Sequence, residues 1–167
     1  RPFCLYMPLG YPHPPYAVEE PYYSMVDRRK VPPPRPEPDW SRKPSILGGI
    51  RRNQRIDGWT PEKWTELRAT YLGMCSRVDA QLGLVIEGLK RAGAYDDTAI
   101  LFFSDHGDFT GDSGLVEKTQ NTFEDCLSRV PFVVKPPRGV PVKPRISGAL
   151  VELVDMPATV WELAGIV

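Results

Sequence analysis

One long stretch of the chain carries apolar residues at helical spacing. Thr60 followed by Pro61 provides an N-cap and a first-turn residue, and Gly93 lies just beyond the last apolar position. The apolar positions of this stretch are Leu67, Tyr71, Met74, Val78, Leu82, Val85 and Leu89. Spacings of three and four residues place them on one face of a helix. The pattern predicts a single long helix over residues 61–92.

Three short runs are continuously apolar, over residues 3–9, 98–104 and 130–135. Runs of this length, rich in β-branched and aromatic residues, are typical of strands buried on both faces. Residues 155–164 form a second, shorter helical pattern, with an early proline and Gly165 at its end. The order strand, helix, strand, strand, helix predicts an α/β fold, with a sheet flanked by helices.

The segment between the first predicted strand and the long helix is rich in proline. Residues 30–58 are predicted to be irregular, because the prolines of residues 31–38 favour an extended chain. A basic patch follows, made of Arg42, Lys43, Arg51, Arg52 and Arg55. A loop of this length is compatible with a functional, substrate-side role or with a solvated linker, and composition does not decide between them.

Charge and cysteine content exclude several classes of protein. Lys plus Arg and Asp plus Glu number 21 each in 167 residues, so nothing favours a nucleic-acid partner or an anionic membrane surface. No apolar run approaches the roughly 20 residues of a membrane span. Cys4, Cys75 and Cys126 are too few and too widely spaced for a disulfide framework or a zinc site. Cys4 and Cys75 are predicted to be small core residues, and the compartment is left open.

Both histidines of the chain lie where a predicted strand gives way to a loop. Asp105 and His106 directly follow the strand at 98–104, and ligands of α/β sheets gather at the carboxyl ends of strands. A carboxylate oxygen and an imidazole nitrogen can ligate one divalent cation if the backbone turns sharply, which Gly107 permits. The alternative is a capping turn with a hydrogen-bonded histidine.

Two further side chains are candidates for the same site. Lys118 ends a glycine-containing loop that begins at residue 111, a short distance along the chain from Asp105 and His106. His13 lies in a proline-locked loop after the first predicted strand. A single lysine in a loop is commonly solvated, and a single histidine in such a loop is commonly structural. Lys118 and His13 are therefore site candidates only if they face one cavity.

The ordered motifs resemble the second half of the sulfatase family, within the alkaline-phosphatase-like superfamily. The central blocks are Ser104-Asp-His-Gly-Asp108, Gly114-Leu-Val-Glu-Lys118, Glu124 and Arg129-Val-Pro131. Flanking blocks at residues 2–16, 71–89 and 154–166 extend the resemblance almost from end to end, with residues 30–58 the least similar. The resemblance implies part of a sulfatase-like α/β sheet.

The resemblance also assigns roles to the candidate residues. Asp105 and His106 would be metal ligands, most often for calcium and, in related phosphonate and phosphodiester hydrolases, for manganese. Lys118 would bind the sulfate and bridge toward the nucleophile. His13 would contact the sulfate or ester oxygen and protonate the leaving alcohol. The substrate implied is a sulfate ester.

The nucleophile of this family is a formylglycine made from the first residue of a C/S-x-P-x-R motif. None of the three cysteines and no serine begins such a motif here. We therefore expect residues 1–167 to be the C-terminal half of a catalytic domain, with the formylglycine and further metal ligands in an N-terminal half. Alone, the chain is expected to be inactive, to bind metal poorly and to expose apolar surface. Two alternatives stay open: a phosphonate or phosphodiester hydrolase, and a non-catalytic binding module.

Overall fold

A computed structural model describes residues 3–119 and 122–166. Its helices are α1 (Ser45–Gln54), α2 (Pro61–Arg91), α3 (Asp125–Ser128) and α4 (Asp155–Leu163), and its strands are β1 (Ile100–Phe103) and β2 (Phe132–Lys135). Short 3-10 turns lie at Arg28–Lys30, Trp40–Arg42 and Asp112–Gly114. The α/β class is confirmed, and the predictions for α2 and α4 each extend one residue beyond the observed end of the helix. No helix in the described ranges combines the length and apolar character that a membrane crossing needs.

The chain divides into two compact units. One comprises Arg1–Ile86 and His106–Arg129, and the other Glu87–Asp105 and Val130–Val167. In the first unit, α2 supplies the main apolar face. Leu67 joins Ile56 and Val116 in one core cluster, and Phe109, Leu115 and Leu127 form another.

Part of the segment predicted to be irregular is a helix. α1 (Ser45–Gln54) begins directly after Pro44, buries Leu47 and packs Ile50 against the cluster of Phe109. The sequence does not predict α1, because the helix has few apolar positions and lies among prolines and basic residues. The helix is favoured because the first unit offers an apolar surface to those few positions.

Most residues of the proline-rich run at 31–38 are exposed, but hydrogen bonds attach the run to the rest of the first unit. The carboxylate of Asp112 accepts a hydrogen bond from the backbone N–H of Arg35 at 2.9 Å, and the carbonyl of Arg35 accepts one from Ser113 at 3.1 Å. Arg68 on α2 donates to the same carboxylate at 3.0 Å. The run is thus anchored to the loop that leads to Lys118.

In the second unit, β1 and β2 pair antiparallel with Ile100 opposite Lys135 and Phe103 opposite Phe132. The prediction that both strands are buried on both faces is wrong for these residues. Val133 is 59% exposed, and every residue of β1 is only partly buried. A pair of strands has two open edges, and in the described chain no third strand covers either of them.

The predicted strand at residues 3–9 does not form. This stretch makes no ladder with either described strand, and Leu5 and Tyr6 are 68% and 75% exposed. A strand needs a hydrogen-bonded neighbour, which apolar composition cannot supply. Cys4 is exposed as well, so its prediction as a core residue is wrong, whereas Cys75 on α2 is half-buried and burial raises its thiol pKa to about 11.

Two glycines of α2 provide a matched test of this packing. A methyl group at Gly73 would lie 2.5 Å from the carbonyl oxygen of Tyr22 and 3.2 Å from Val18, whereas one at Gly83 would meet nothing within 4 Å. We expect Gly73→Ala to lower the free energy of unfolding by about 1–3 kcal/mol because the backbone must shift. Gly83→Ala should raise it by up to about 1 kcal/mol through helix propensity. Urea unfolding followed by circular dichroism measures both, and equal signs would contradict the described packing.

Candidate functional site

The structure brings two of the predicted site residues into direct contact. The Lys118 Nζ lies 2.6 Å from the His13 Nε2, across 105 residues of sequence. His13 is exposed and Lys118 is half-buried, so the pair lies at the surface of the first unit. Two of the four side chains that are predicted to share a site are therefore in contact.

The two ring nitrogens of His13 have different partners. Its Nδ1 lies 2.7 Å from the carbonyl oxygen of Pro14, and a carbonyl can only accept, so Nδ1 carries the hydrogen. The ammonium of Lys118 can only donate, so Nε2 presents its lone pair to it. Together the two contacts suit the Nδ1–H tautomer of His13.

Tyr16 links the loop of His13 to the segment before Lys118. Its hydroxyl donates to the two carboxylate oxygens of Asp108 at 2.8 and 2.9 Å and accepts the backbone N–H of Glu117 at 2.9 Å. The Asp108 carboxylate also accepts the N–H of Thr110 at 2.8 Å. One hydroxyl therefore joins residues that lie 92 and 101 positions away in the sequence.

Burial governs the electrostatics around this hydroxyl. Desolvation is the largest cause that raises the pKa of Tyr16, with the Asp108 carboxylate adding to it, so the phenol stays protonated and remains a donor. Desolvation also raises the pKa of Asp108 against the opposing hydrogen bonds from Tyr16 and Thr110. Tyr71 packs edge-on against Tyr16 at 6.4 Å between ring centroids. The network is partly shielded from water.

Asp105 and His106 follow β1 in the predicted order. Asp105 is exposed, and His106 is half-buried with its Nδ1 2.8 Å from the carbonyl oxygen of Gly107. That contact suits a ring that donates from Nδ1, and such a ring would ligate a metal through Nε2. Gly107 donates its N–H to the carbonyl of Leu127 at 2.8 Å.

The donor set fits part of the coordination sphere of a hard divalent cation. Asp105 supplies carboxylate oxygen and His106 supplies nitrogen, both of which suit such ions. Within residues 3–119 and 122–166, no three His, Cys, Asp or Glu side chains are grouped closely enough to hold a metal. The roles of Asp105 and His106 as metal ligands therefore stay a prediction.

Tyr16 is the residue whose role sequence reasoning missed. Tyr16 lies within the sulfatase-like block at residues 2–16, but its partners Asp108 and Glu117 are too distant in sequence for any spacing rule to connect them to it. The only local signal is an aromatic residue with a polar end, at the edge of a proline-rich loop.

Comparisons with known proteins agree on one family. The family model for sulfatases matches residues 1–166. The chain is 30% identical to the multifunctional alkaline phosphatase superfamily protein PehA of Trinickia caryophylli, covering 99% of this chain and 34% of that protein. It is 31% identical to a choline-sulfatase of Rhizobium meliloti, covering 99% and 32%. The chain thus spans about a third of the length of these relatives.

A solved structure shows the same fold. Phosphonate monoester hydrolase SpPMH from Silicibacter pomeroyi superimposes with a TM-score of 0.79 and 31% identity, covering 92% of this chain and 32% of that one. The 2-O GAG sulfatase BT1596 superimposes with a TM-score of 0.70 at 24% identity, which supports the fold alone.

Proposed function

This chain belongs to the sulfatase family, and from that premise we propose that it forms the anion-binding part of a metal-assisted sulfuric ester hydrolase. The observation that carries the proposal is the contact between Lys118 and His13. A cation and an imidazole joined at the surface of one unit form a suitable cradle for a small anionic group.

The pair offers two kinds of assistance to ester cleavage. The Lys118 ammonium would offset negative charge on the sulfuryl oxygens as the bond to the alcohol breaks. His13 lies beside it and would contact the ester oxygen, delivering a proton to the leaving alcohol once its Nε2 is protonated. Binding of the substrate would replace the Lys118–His13 hydrogen bond with bonds to the sulfate.

Asp105 and His106 would hold the cation, with calcium as the first expectation and manganese as the alternative. When bound, that cation would supply Lewis-acid stabilisation to the sulfuryl oxygens. The tautomer of His106 described above supports its part, because Nε2 of a neutral ring is the nitrogen that can ligate.

The nucleophile is proposed to be a formylglycine outside these 167 residues. No cysteine or serine of the chain begins a C/S-x-P-x-R motif. Relatives about three times as long leave room for that segment, since the matched region covers only 32–34% of them. The residues described here would bind, orient and neutralise the substrate.

A phosphonate monoester hydrolase is the second candidate. Two solved phosphonate monoester hydrolases superimpose on this chain at 31% and 32% identity, with TM-scores of 0.79 and 0.66. The same lysine, histidine and cation would serve a phosphonate, because both ester classes present anionic oxygens around a tetrahedral centre.

The deciding experiment compares two esters of one leaving group. The whole protein is assayed with an aryl sulfate and with the matching aryl phosphonate monoester, after chelation and after return of calcium or manganese. A higher kcat/KM for the sulfate supports the sulfatase proposal, and a higher value for the phosphonate supports the alternative. Turnover of neither ester with any metal would reject both.

Replacing a proposed metal ligand gives a sharper test. Asp105→Asn keeps the size of the side chain but removes its charge, so we expect the calcium concentration for half-maximal activity to rise at least about tenfold. The control is Asp97→Asn, which removes an exposed carboxylate that pairs with Arg138 at 3.4 Å. Calorimetry of calcium binding supplies an independent readout, and equal affinities of the two variants would remove Asp105 from the site.

A further inference from the structure

A single hydroxyl fastens three separate segments of the first unit. The Tyr16 oxygen lies within 2.9 Å of both carboxylate oxygens of Asp108 and of the backbone nitrogen of Glu117. Its donor and its acceptor capacity are therefore both used. The Tyr16 side chain is half-buried, and a bond made there is less exposed to competition from water.

Each fastened segment carries a residue of the proposed site. Tyr16 is three residues after His13, Glu117 directly precedes Lys118, and Asp108 is two residues after His106. Any movement of the Tyr16 hydroxyl would therefore change the positions of both partners in the Lys118–His13 contact.

The backbone beside Lys118 requires such support. Glu117 has φ of 59°, in the left-handed region that non-glycine residues seldom adopt. Thr110, whose N–H is held by the Asp108 carboxylate, has φ of 43°. Residues in this region persist where surrounding contacts hold them, and here the contacts come from Tyr16 and Asp108.

We propose that Tyr16 is a positioning residue that sets the contact between His13 and Lys118 through its hydroxyl. Its catalytic consequence depends on the function proposed above, whereas its effect on the tautomer of His13 does not. The ring has a separate role, because it packs against the cluster of Ile56, Leu67 and Val116 and against Tyr71. A phenylalanine would keep that packing and remove only the hydroxyl.

The test compares Tyr16→Phe with Tyr71→Phe in the whole protein. Both variants remove one half-buried phenol oxygen, but the hydrogen bonds to Asp108 and Glu117 are made by Tyr16, against whose ring Tyr71 packs. Histidine is labelled with ¹⁵N, and His13 is assigned by loss of its signals in His13→Gln. We expect the Nδ1–H tautomer of His13 in the parent and in Tyr71→Phe. In Tyr16→Phe we expect a tautomeric mixture, because a displaced Lys118 ammonium would no longer donate to Nε2 and the Pro14 contact alone would have to select the tautomer.

Kinetics provide the second readout. We expect Tyr16→Phe to lower kcat by about tenfold with a smaller change in KM, because the charges are retained but misplaced relative to the transition state. A parent-like tautomer together with a parent-like kcat in Tyr16→Phe would overturn the positioning role. If the whole protein hydrolyses neither ester, the proposed function fails while the tautomer measurement still decides the role of Tyr16.

A second variant guards against misfolding. If Tyr16→Phe does not fold, Asp108→Ala removes the acceptor of the same hydroxyl and should produce the same tautomeric mixture. Failure of both variants to fold, beside a folded Tyr71→Phe, would overturn the proposal by showing that the network serves the fold as a whole.

Discussion

Replacing Lys118 with methionine is expected to lower kcat/KM for a sulfate ester by roughly 10²–10³-fold, equivalent to about 3–4 kcal/mol of transition-state stabilisation. Methionine keeps an unbranched apolar stem but lacks the ammonium that contacts His13 Nε2 at 2.6 Å. Negative charge on the sulfuryl oxygens would then lose the cationic partner that we propose for it. The measurement is steady-state kinetics of the whole protein with an aryl sulfate.

Two further variants show whether the loss of activity in Lys118→Met comes from the lost charge or from altered packing. Lys118→Arg keeps a cation and should retain more activity than Lys118→Met, although its planar fork cannot reproduce the ammonium geometry. Lys90→Met removes an exposed lysine paired with Glu87 at 2.8 Å and should leave the kinetics unchanged. An activity of Lys118→Met within threefold of the parent would remove this residue from catalysis.

A methyl group at position 107 is expected to destabilise the protein by roughly 3 kcal/mol or more, the upper end of the cost of overpacking. The added carbon would overlap the carbonyl oxygen of Cys126 and lie 3.2 Å from the Cα of Leu127. Both are backbone atoms, which cannot rotate away as a side chain can. The N–H of Gly107, which donates to Leu127 at 2.8 Å, would be displaced with them.

Urea unfolding of Gly107→Ala measures this cost, and the activity of the whole protein should fall because Asp105 and His106 adjoin the displaced residue. The control is Gly10→Ala, since a methyl group at Gly10 meets nothing within 4 Å. A Gly107→Ala variant as stable as Gly10→Ala would show that the loop does not lie against α3 as described.

Gly107 is needed in the structure for a different reason from the one that its sequence context predicts. Gly107 was expected to allow a sharp turn, but it does not lie in the left-handed region. The structure requires glycine there because the backbone at Cys126 approaches too closely for a side chain. A sharp turn and a close approach of another backbone segment both favour glycine, so the sequence does not show which of them applies at Gly107. The structure distinguishes the two.

The sequence alone determined the elements whose signals are local. The apolar spacing and end residues of α2 predict its bounds nearly to the residue, and Asp155 to Leu163 follows the same rule. The motifs containing Asp105, His106, Lys118 and His13 also identify the residues to which we assign the proposed chemistry. These signals depend on neighbours within a few positions, which a linear pattern records.

Tertiary structure decided everything that depends on distant partners. Residues 3–9 form no strand because apolar composition cannot provide a neighbour, and α1 forms because the first unit provides a surface for Leu47 and Ile50. The contact between His13 and Lys118 spans 105 residues and is arranged by a tyrosine hydroxyl. Such contacts depend on which distant segments the tertiary fold brings together. That arrangement leaves no periodic pattern of apolar and polar residues in the sequence.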